Sequence, residues 1–356
     1  MSNDYGDAGD GALGGYWHGL DAIPADLGPT VATIGVFDGV HRGHRALIGS
    51  AVAAAREAGV PSVLITLDPN PKALFAPAKA PAQLTDLPTR AELARAAGID
   101  HVLVLPFTRE LAGMEPEEFV RVVLHDALHA RSVHVGENFT YGHKAAGTAE
   151  TLPVHCAEHG MAAVVVDLLE EGDHGRVSST RVRGLLAEGD VAAAGELLGH
   201  PYMLSGEVVR GQGRGGSQLG FPTANLGLDP EVAVPADGVY ACRFRVTPGP
   251  ERADADPDGD MELGAWYPAA TSVGTNTTFG DTARTVEAHV IGRDADLYGL
   301  RGSLEFVGRI RGMVTFDGAE ALIERMHVDV DEALEMLGEP PRPAADGDWG
   351  IRPPAW

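Results

Sequence analysis

Between residues 31 and 44 an apolar run, Val31-Ala-Thr-Ile34, passes directly into Gly35-Val-Phe-Asp-Gly-Val-His-Arg-Gly-His44, and a helical pattern follows at once. Strand, tight turn and helix N-terminus in that order make a phosphate cradle. The first backbone N–H groups of a helix lack intrahelical partners, and the helix dipole favours an anion beside them. His41 and His44 bracket Arg42-Gly43 at that mouth, where the glycine lets backbone and imidazoles approach one oxyanion together. Such a mouth suits a nucleoside triphosphate better than it suits a hydrophobic core.

Three more polar segments stand at or just after predicted strands: Thr66–Phe75, Gly136–Gly142 (Gly-Glu-Asn-Phe-Thr-Tyr-Gly) and Ser178–Arg183 (Ser-Ser-Thr-Arg-Val-Arg). Ligands of open parallel sheets bind beyond the carboxyl ends of the strands, so the four segments can converge on one crevice. Singly they are bland: Ser178-Ser179-Thr180 reads as a helix cap and Asn138 as a turn residue. Further on, Gly211-Gln-Gly-Arg-Gly-Gly216 matches Gly-x-Gly-x-x-Gly, but strands surround it where a dinucleotide fingerprint needs a βαβ unit, so by itself it is a hairpin turn. It is followed by Leu219-Gly-Phe-Pro-Thr-Ala-Asn-Leu226, in which Thr223 and Asn225 share one side of an extended segment and offer two hard oxygens to magnesium and phosphate. Glu287 alternates with Val286 and Ala288, and so faces away from the apolar side of its strand.

The elements that position these groups fall into two patterns. From Val31 to Val182 short apolar runs (31–36, 63–67, 102–105, 132–135, 163–168) alternate with helices predicted at 46–58, 89–97 and 116–128, the signature of a parallel sheet covered by helices. After short helices at 183–187 and 190–198, the latter with Asp190 as N-cap, the chain reads as strands at 202–210, 238–246, 264–273, 285–291 and 303–310. Strands in series without helices suggest an antiparallel sheet or small closed barrel, with Pro248–Asp260 as an exposed loop. An amphipathic helix, Ala319–Leu337, closes it. The expected division is an acidic disordered extension at 1–29, an α/β domain at 30–182, linker helices at 183–200, a β domain at 201–340 and a flexible tail at 341–356. A chain of 356 residues exceeds the size at which one core usually suffices, which also favours two domains.

In combination, Gly35–His44, Gly136–Gly142 and Val177–Arg183 resemble the adenylyltransferase half of the bacterial bifunctional riboflavin kinase/FAD synthetases. With Gly211–Asn225 and Glu287 the resemblance spans roughly residues 30–340. It implies an α/β plus β fold: a Rossmann-like HxGH nucleotidyltransferase domain with a parallel sheet, then an antiparallel β-barrel flavokinase domain with a closing helix. It implies phosphorylation of riboflavin to FMN, then transfer of AMP from ATP to FMN, giving FAD and pyrophosphate. His41, His44, Gly35, Phe37, Asp38 and Gly39 then meet the ATP triphosphate, and Ser178, Ser179, Thr180 and Arg183 hold its β,γ end, Arg181 falling at a variable position. Asn70, Asn138, Phe139 and Arg311 are implied flavin neighbours. Gly213 and Gly216 fold over the second ATP, Thr223 and Asn225 hold Mg2+, and Glu287 deprotonates the riboflavin 5′-hydroxyl. Relatives usually carry Pro-His-Pro where this chain has Pro69-Asn70-Pro71; asparagine keeps a hydrogen-bonding side chain but no titratable charge, and activity is expected to survive. Thr277 replaces a more usual proline in Gly274–Phe279, a loss of local rigidity.

Two other readings compete. The first domain could adenylylate another alcohol phosphate or a pantetheine-like acceptor, which the complete flavokinase set argues against; or the chain could sense or store flavin, which turnover of ATP would exclude. A net charge of −24 disfavours nucleic acid and anionic lipid surfaces as partners. No run approaches the about 20 apolar residues of a membrane helix, and no signal peptide is apparent, so a cytoplasmic enzyme of small-molecule substrates is expected, with transient homo-oligomers possible. Cys156 and Cys242 stand apart with no ligand spacing around them and read as buried small residues.

Overall fold

The computed structural model describes residues 16–167, 170–171, 175–211, 221–249, 257–275 and 284–341. The chain forms two compact units, Met1–Ala82 with Leu87–Ser179, and Gln83–Asp86 with Thr180–Trp356. The division thus falls at Ser179/Thr180, and the helices expected as a linker count with the second unit.

The first unit is built on a parallel sheet of β1 (Trp17–His18), β2 (Thr30–Ile34), β3 (Ser62–Asp68), β4 (His101–Pro106), β5 (Ala130–Gly136) and β8 (Ala162–Val166), in the order β1-β4-β3-β2-β5-β8. A small hairpin, β6 (Thr140–Tyr141) with β7 (Gly147–Thr148), separates the last two, and β9 (Glu170–Glu171) pairs with β10 (Gly175–Arg176). Every residue of β2 is buried, as expected of a central parallel strand covered on both faces. One face packs Ile34, Ile65, Val133 and Val135 against Phe119, Val120 and Leu124; on the other, Ala51 and Ala55 of α1 (Arg42–Ala58) cover Val31. Short helices α2 (Pro71–Phe75), α3 (Leu87–Ala96), α4 (Arg109–Gly113), α5 (Pro116–Phe119) and α6 (Leu152–Ala157) complete the connections. The helix expected at 116–128 is α only in its first turn, then winds as a π-helix over Val120–Ala127.

The disordered extension expected at 1–29 must be corrected over residues 16–29. Trp17 and His18 pair in parallel with Leu103 and Val104, and the Trp17 ring stacks on His101 at 4.6 Å. Trp17, Leu20, Ile23 and Leu27 pack at the edge of the core. Four apolar residues scattered among Asp and Gly carry no periodicity, yet they cover an otherwise exposed edge strand. Residues 1–15, and 342–356 of the expected tail, lie outside the described residues.

The second unit opens with α7 (Ser179–Glu188) and α8 (Val191–Leu198), the latter capped by Asp190, whose Oδ1 accepts from the Ala193 amide at 3.0 Å. Six antiparallel strands then close a barrel: β11 (Tyr202–Val209), β12 (Ala224–Gly227), β16 (Arg284–Val290), β15 (Trp266–Thr275), β13 (Gly238–Thr247) and β18 (Arg301–Arg311), in that spatial order. Inside the stretch read as a loop, β14 (Asp258–Gly259) pairs with β17 (Ala295–Asp296); residues 250–256 are outside the described set. Helix α9 (Ala319–Leu337) seals one side by burying Val330, Ala333, Leu334 and Leu337 against Phe221, Ala241 and Ala270. Gln83 exchanges backbone bonds with Glu231 and Ala233 at 2.7 Å, and Asp86 pairs with Arg301 at 2.7 Å, which is why Gln83–Asp86 belongs to this unit.

Candidate functional site

In the first unit β3, β2 and β5 are neighbours, so the segments that leave their carboxyl ends emerge side by side. After β2 the chain enters a turn in which Phe37 (φ 51°) and Val40 (φ 40°) both adopt left-handed backbone, uncommon for any non-glycine residue and most of all for a β-branched one. The turn ends at His41, the N-cap of α1, whose Nδ1 accepts the His44 backbone N–H at 3.2 Å. That bond leaves the His41 proton on Nε2. The two imidazoles stack 3.6 Å apart, and a Cβ at Gly43 would lie 3.2 Å from the His41 ring, a tight contact that would press on the ring. Burial above all, then the charges of His41 and Arg90, hold His44 well below the ordinary imidazole value, so it is neutral at pH 7.

Arg90 escaped the sequence reading. It is buried in α3, donates to Thr66 Oγ1 at 3.1 Å, and lies 3.9 Å from Asp38 Oδ1. Thr66 in turn donates to the Val36 carbonyl at 2.9 Å, so one guanidinium ties β3 to the strained turn. The signal was present, because an arginine in the apolar stripe of a helix (Leu87, Ala91, Leu93 and Ala94 are also buried) needs a buried partner. Arg90→Met is expected to destabilise the protein by about 3 kcal/mol through loss of the buried cation beside Asp38 and Thr66, read as a lower urea midpoint, with Arg90→Lys costing less.

Ser179 Oγ donates to the Asp38 carbonyl at 3.0 Å, which ties Ser179 to the same turn. Ser178 directly precedes α7, Thr180 is exposed on its first turn, and Arg183 follows Ser179 by four residues on the same helix face. Asn70 caps α2, its Oδ1 accepting from the Lys72 amide at 3.0 Å. Beyond β5, Asn138 is exposed and Phe139 half-buried, the Phe139 ring stacked on Tyr141 at 5.4 Å.

The barrel gathers a second constellation. β12 was foreseen only as an extended segment; its pairing with β16 sets Asn225 directly opposite Glu287 and Ala224 opposite Ala288. Ala224 and Leu226 point into the core while Thr223 and Asn225 stay half-exposed. Burial pushes the Glu287 carboxyl above the ordinary glutamate value, and the neighbouring Thr223 hydroxyl opposes the shift in part. At the other side Gly211 is pressed so close to the Asn225 amide that a Cβ would fall 2.5 Å from Nδ2. Gly213 and Gly216, like Thr277, lie outside the described residues. A cavity of ≈ 120 Å³ opens beside Thr223, lined by Val208, Pro222, Val290, Arg293 and Tyr298 among others. Arg311, at the end of β18, has both its Nε and Nη2 held by the buried Asp329 of α9 at 2.8 and 2.6 Å. Asp329, also bonded by Arg325 at 2.8 Å, is the second residue the sequence reading missed: a carboxylate in the buried stripe of an amphipathic helix.

Among the described residues no helix is long and apolar enough to cross a membrane, and no group of three or more His, Cys, Asp or Glu side chains could hold a metal ion. The family model for FAD synthetase matches residues 23–181, and that for riboflavin kinase matches 198–337. A bifunctional riboflavin kinase/FMN adenylyltransferase of Pseudomonas fluorescens is 36% identical over 319 residues, covering 89% of this chain and 96% of that protein. One of Listeria monocytogenes is 32% identical, with 87% and 93% covered. A solved Streptococcus pneumoniae structure described as a macrolide-efflux protein is 28% identical and superposes with a TM-score of 0.71 over 89% of this chain and 96% of its own. With two family models in tandem and relatives matched over nearly their whole length, the chain belongs to the bifunctional riboflavin kinase/FMN adenylyltransferase family.

Proposed function

We propose that this protein makes FMN from riboflavin in its barrel and FAD from FMN on its parallel sheet, with ATP as donor both times. The observation that carries the reading is the register of β12 on β16, which puts Thr223, Asn225 and Glu287 on one side of two neighbouring strands. An alcohol is a poor nucleophile until its proton has an acceptor, and Glu287 is placed to take the proton of the riboflavin 5′-hydroxyl as that oxygen attacks the γ-phosphorus and ADP departs. The Thr223 hydroxyl and Asn225 amide oxygen, beside a carboxylate, are the hard-oxygen donors Mg2+ prefers, and these residues would hold it. When bound, the ion would neutralise phosphate charge.

Adenylylation needs no side-chain base, because the FMN phosphate is already anionic. Its difficulty is bringing two polyanions together and stabilising charge as pyrophosphate leaves. The N-terminus of α1, the Nε2–H of His41 and neutral His44 are donors for the triphosphate, together with the amides after Phe37. Ser178 and Ser179 receive the β,γ end, and Asn138, Phe139 and Asn70 face the flavin of FMN. The acidic charge and absence of a long apolar helix among the described residues support small-molecule substrates in the cytoplasm over nucleic acid or membrane partners.

A time course from riboflavin with ATP and Mg2+, resolving riboflavin, FMN and FAD, tests the proposal. FMN is expected to rise first and FAD to follow. Flavin bound with ATP unconsumed would identify a sensor or store, and FMN accumulating alone would remove the adenylylation reading, with Asn70 the first residue to revert to histidine.

A further inference from the structure

Behind Phe139 lies a chain of titratable side chains that neither reaction uses. The Tyr141 ring is buried; it stacks on Phe139 at 5.4 Å with 11° between planes, and meets Phe119 at 5.8 Å on the core side. Its hydroxyl lies 2.7 Å from His155 Nδ1, and His155 Nε2 lies 3.3 Å from Glu117 Oε1. Burial pushes the Tyr141 phenol up to about 12, so Tyr141 keeps its proton throughout the neutral range.

Four elements are joined by this chain: α5 supplies Glu117, α6 supplies His155, β6 supplies Tyr141, and the turn after β5 supplies Phe139. A stacked pair holds its geometry only if one ring is fixed, and a tyrosine whose hydroxyl is bonded cannot slide or tilt without breaking that bond. The Phe139 backbone is also fixed, its N–H donating to the Gly136 carbonyl at 2.9 Å and its own carbonyl accepting from Ala149 at 3.0 Å. The remaining freedom is that of the Phe139 ring, and Tyr141 removes it. We infer that Tyr141, hydrogen-bonded to His155 with Glu117 beside it, forms with them a side-chain relay that positions the Phe139 ring for the isoalloxazine of FMN. All three are positioning residues, and the inference rests on the reading of Phe139 as a flavin neighbour.

Steady-state adenylylation with FMN and ATP varied separately, and riboflavin phosphorylation measured on the same preparations as a control for folding, tests it. Tyr141→Phe keeps the ring and loses only the hydroxyl; KM for FMN is expected to rise about five-fold, the worth of roughly one hydrogen bond, with KM for ATP and kcat unchanged. His155→Gln is expected to do the same, and the double variant to be no worse than either single one, because both break one relay. A lower melting temperature with unchanged KM for FMN, or equal losses for FMN and ATP, would overturn the relay. Phe139→Ala separates the two levels. If it leaves KM for FMN unchanged, the flavin reading of Phe139 fails; if it raises that KM while Tyr141→Phe and His155→Gln do not, the relay alone fails.

Discussion

Glu287→Gln is expected to lower kcat for riboflavin phosphorylation by ~10²–10⁴-fold, the usual contribution of a positioned general base, and to leave FMN adenylylation by the same sample intact. Glutamine is nearly isosteric and can still meet Thr223, so the barrel keeps its shape and only the proton acceptor is lost. The pH dependence has a definite sign. Because burial raises the Glu287 carboxyl, the base is lost to protonation at a higher pH than an ordinary glutamate, and the acid limb of kcat/KM for riboflavin is displaced upward from 4.5. Folding responds in the opposite sense: a carboxyl whose folded value is raised favours the native state at low pH and works against it once ionised. Glu287→Gln should therefore raise the thermal midpoint slightly at pH 7 while it removes the reaction. Retention of riboflavin phosphorylation in Glu287→Gln would end its assignment as the base.

His44→Ala is expected to have the second largest effect, a fall of ~10²–10³-fold in FMN adenylylation, comparable to removing one preorganised donor from a site of developing charge, with riboflavin phosphorylation unaffected. His41 tests a different property. His41→Ala also removes the cap of α1, at about 1 kcal/mol, whereas His41→Asn can still accept the His44 amide and should recover stability without full rate. The depressed value of His44 predicts that it does not titrate between pH 6 and 8, so adenylylation should show no His44 limb there. As the pH falls below the ordinary imidazole value of 6.5, the unfolded chain takes up a proton that folded His44 resists, and stability declines. A phosphorylation rate that fell together with adenylylation in His44→Ala would mean damage to the fold rather than to this turn.

The groups that sequence placed well are those whose partners are close along the chain. The turn at Gly35–His44, the Asp190 cap and the whole span of α9 follow from local spacing and periodicity, and so does the alternation of Thr223 with Ala224. What it could not place depends on partners far away. Nothing in Pro222–Gly227 says that Asn225 will lie across from Glu287, because strand register is settled by the closed barrel as a whole. Arg90 and Asp329 were missed for a related reason: each is a charge on an apolar helix face, and its partner, Asp38 or Arg311, is known only once the fold is. Trp17 failed for want of pattern, since a two-residue strand has no period to detect.

The pairing of Asp329 with Arg311 bears on where this protein can be cut. Judged by its hydrogen-bonded sheet, the kinase half finishes at Arg311 with β18, and a fragment ending there would retain every barrel strand. Such a fragment would strip Phe221, Ala241 and Ala270 of their cover and release Arg311 from both carboxylate oxygens at once. The smallest autonomous kinase module therefore extends through Leu337, and in domain transplantation α9 must travel with its barrel as part of the catalytic cassette.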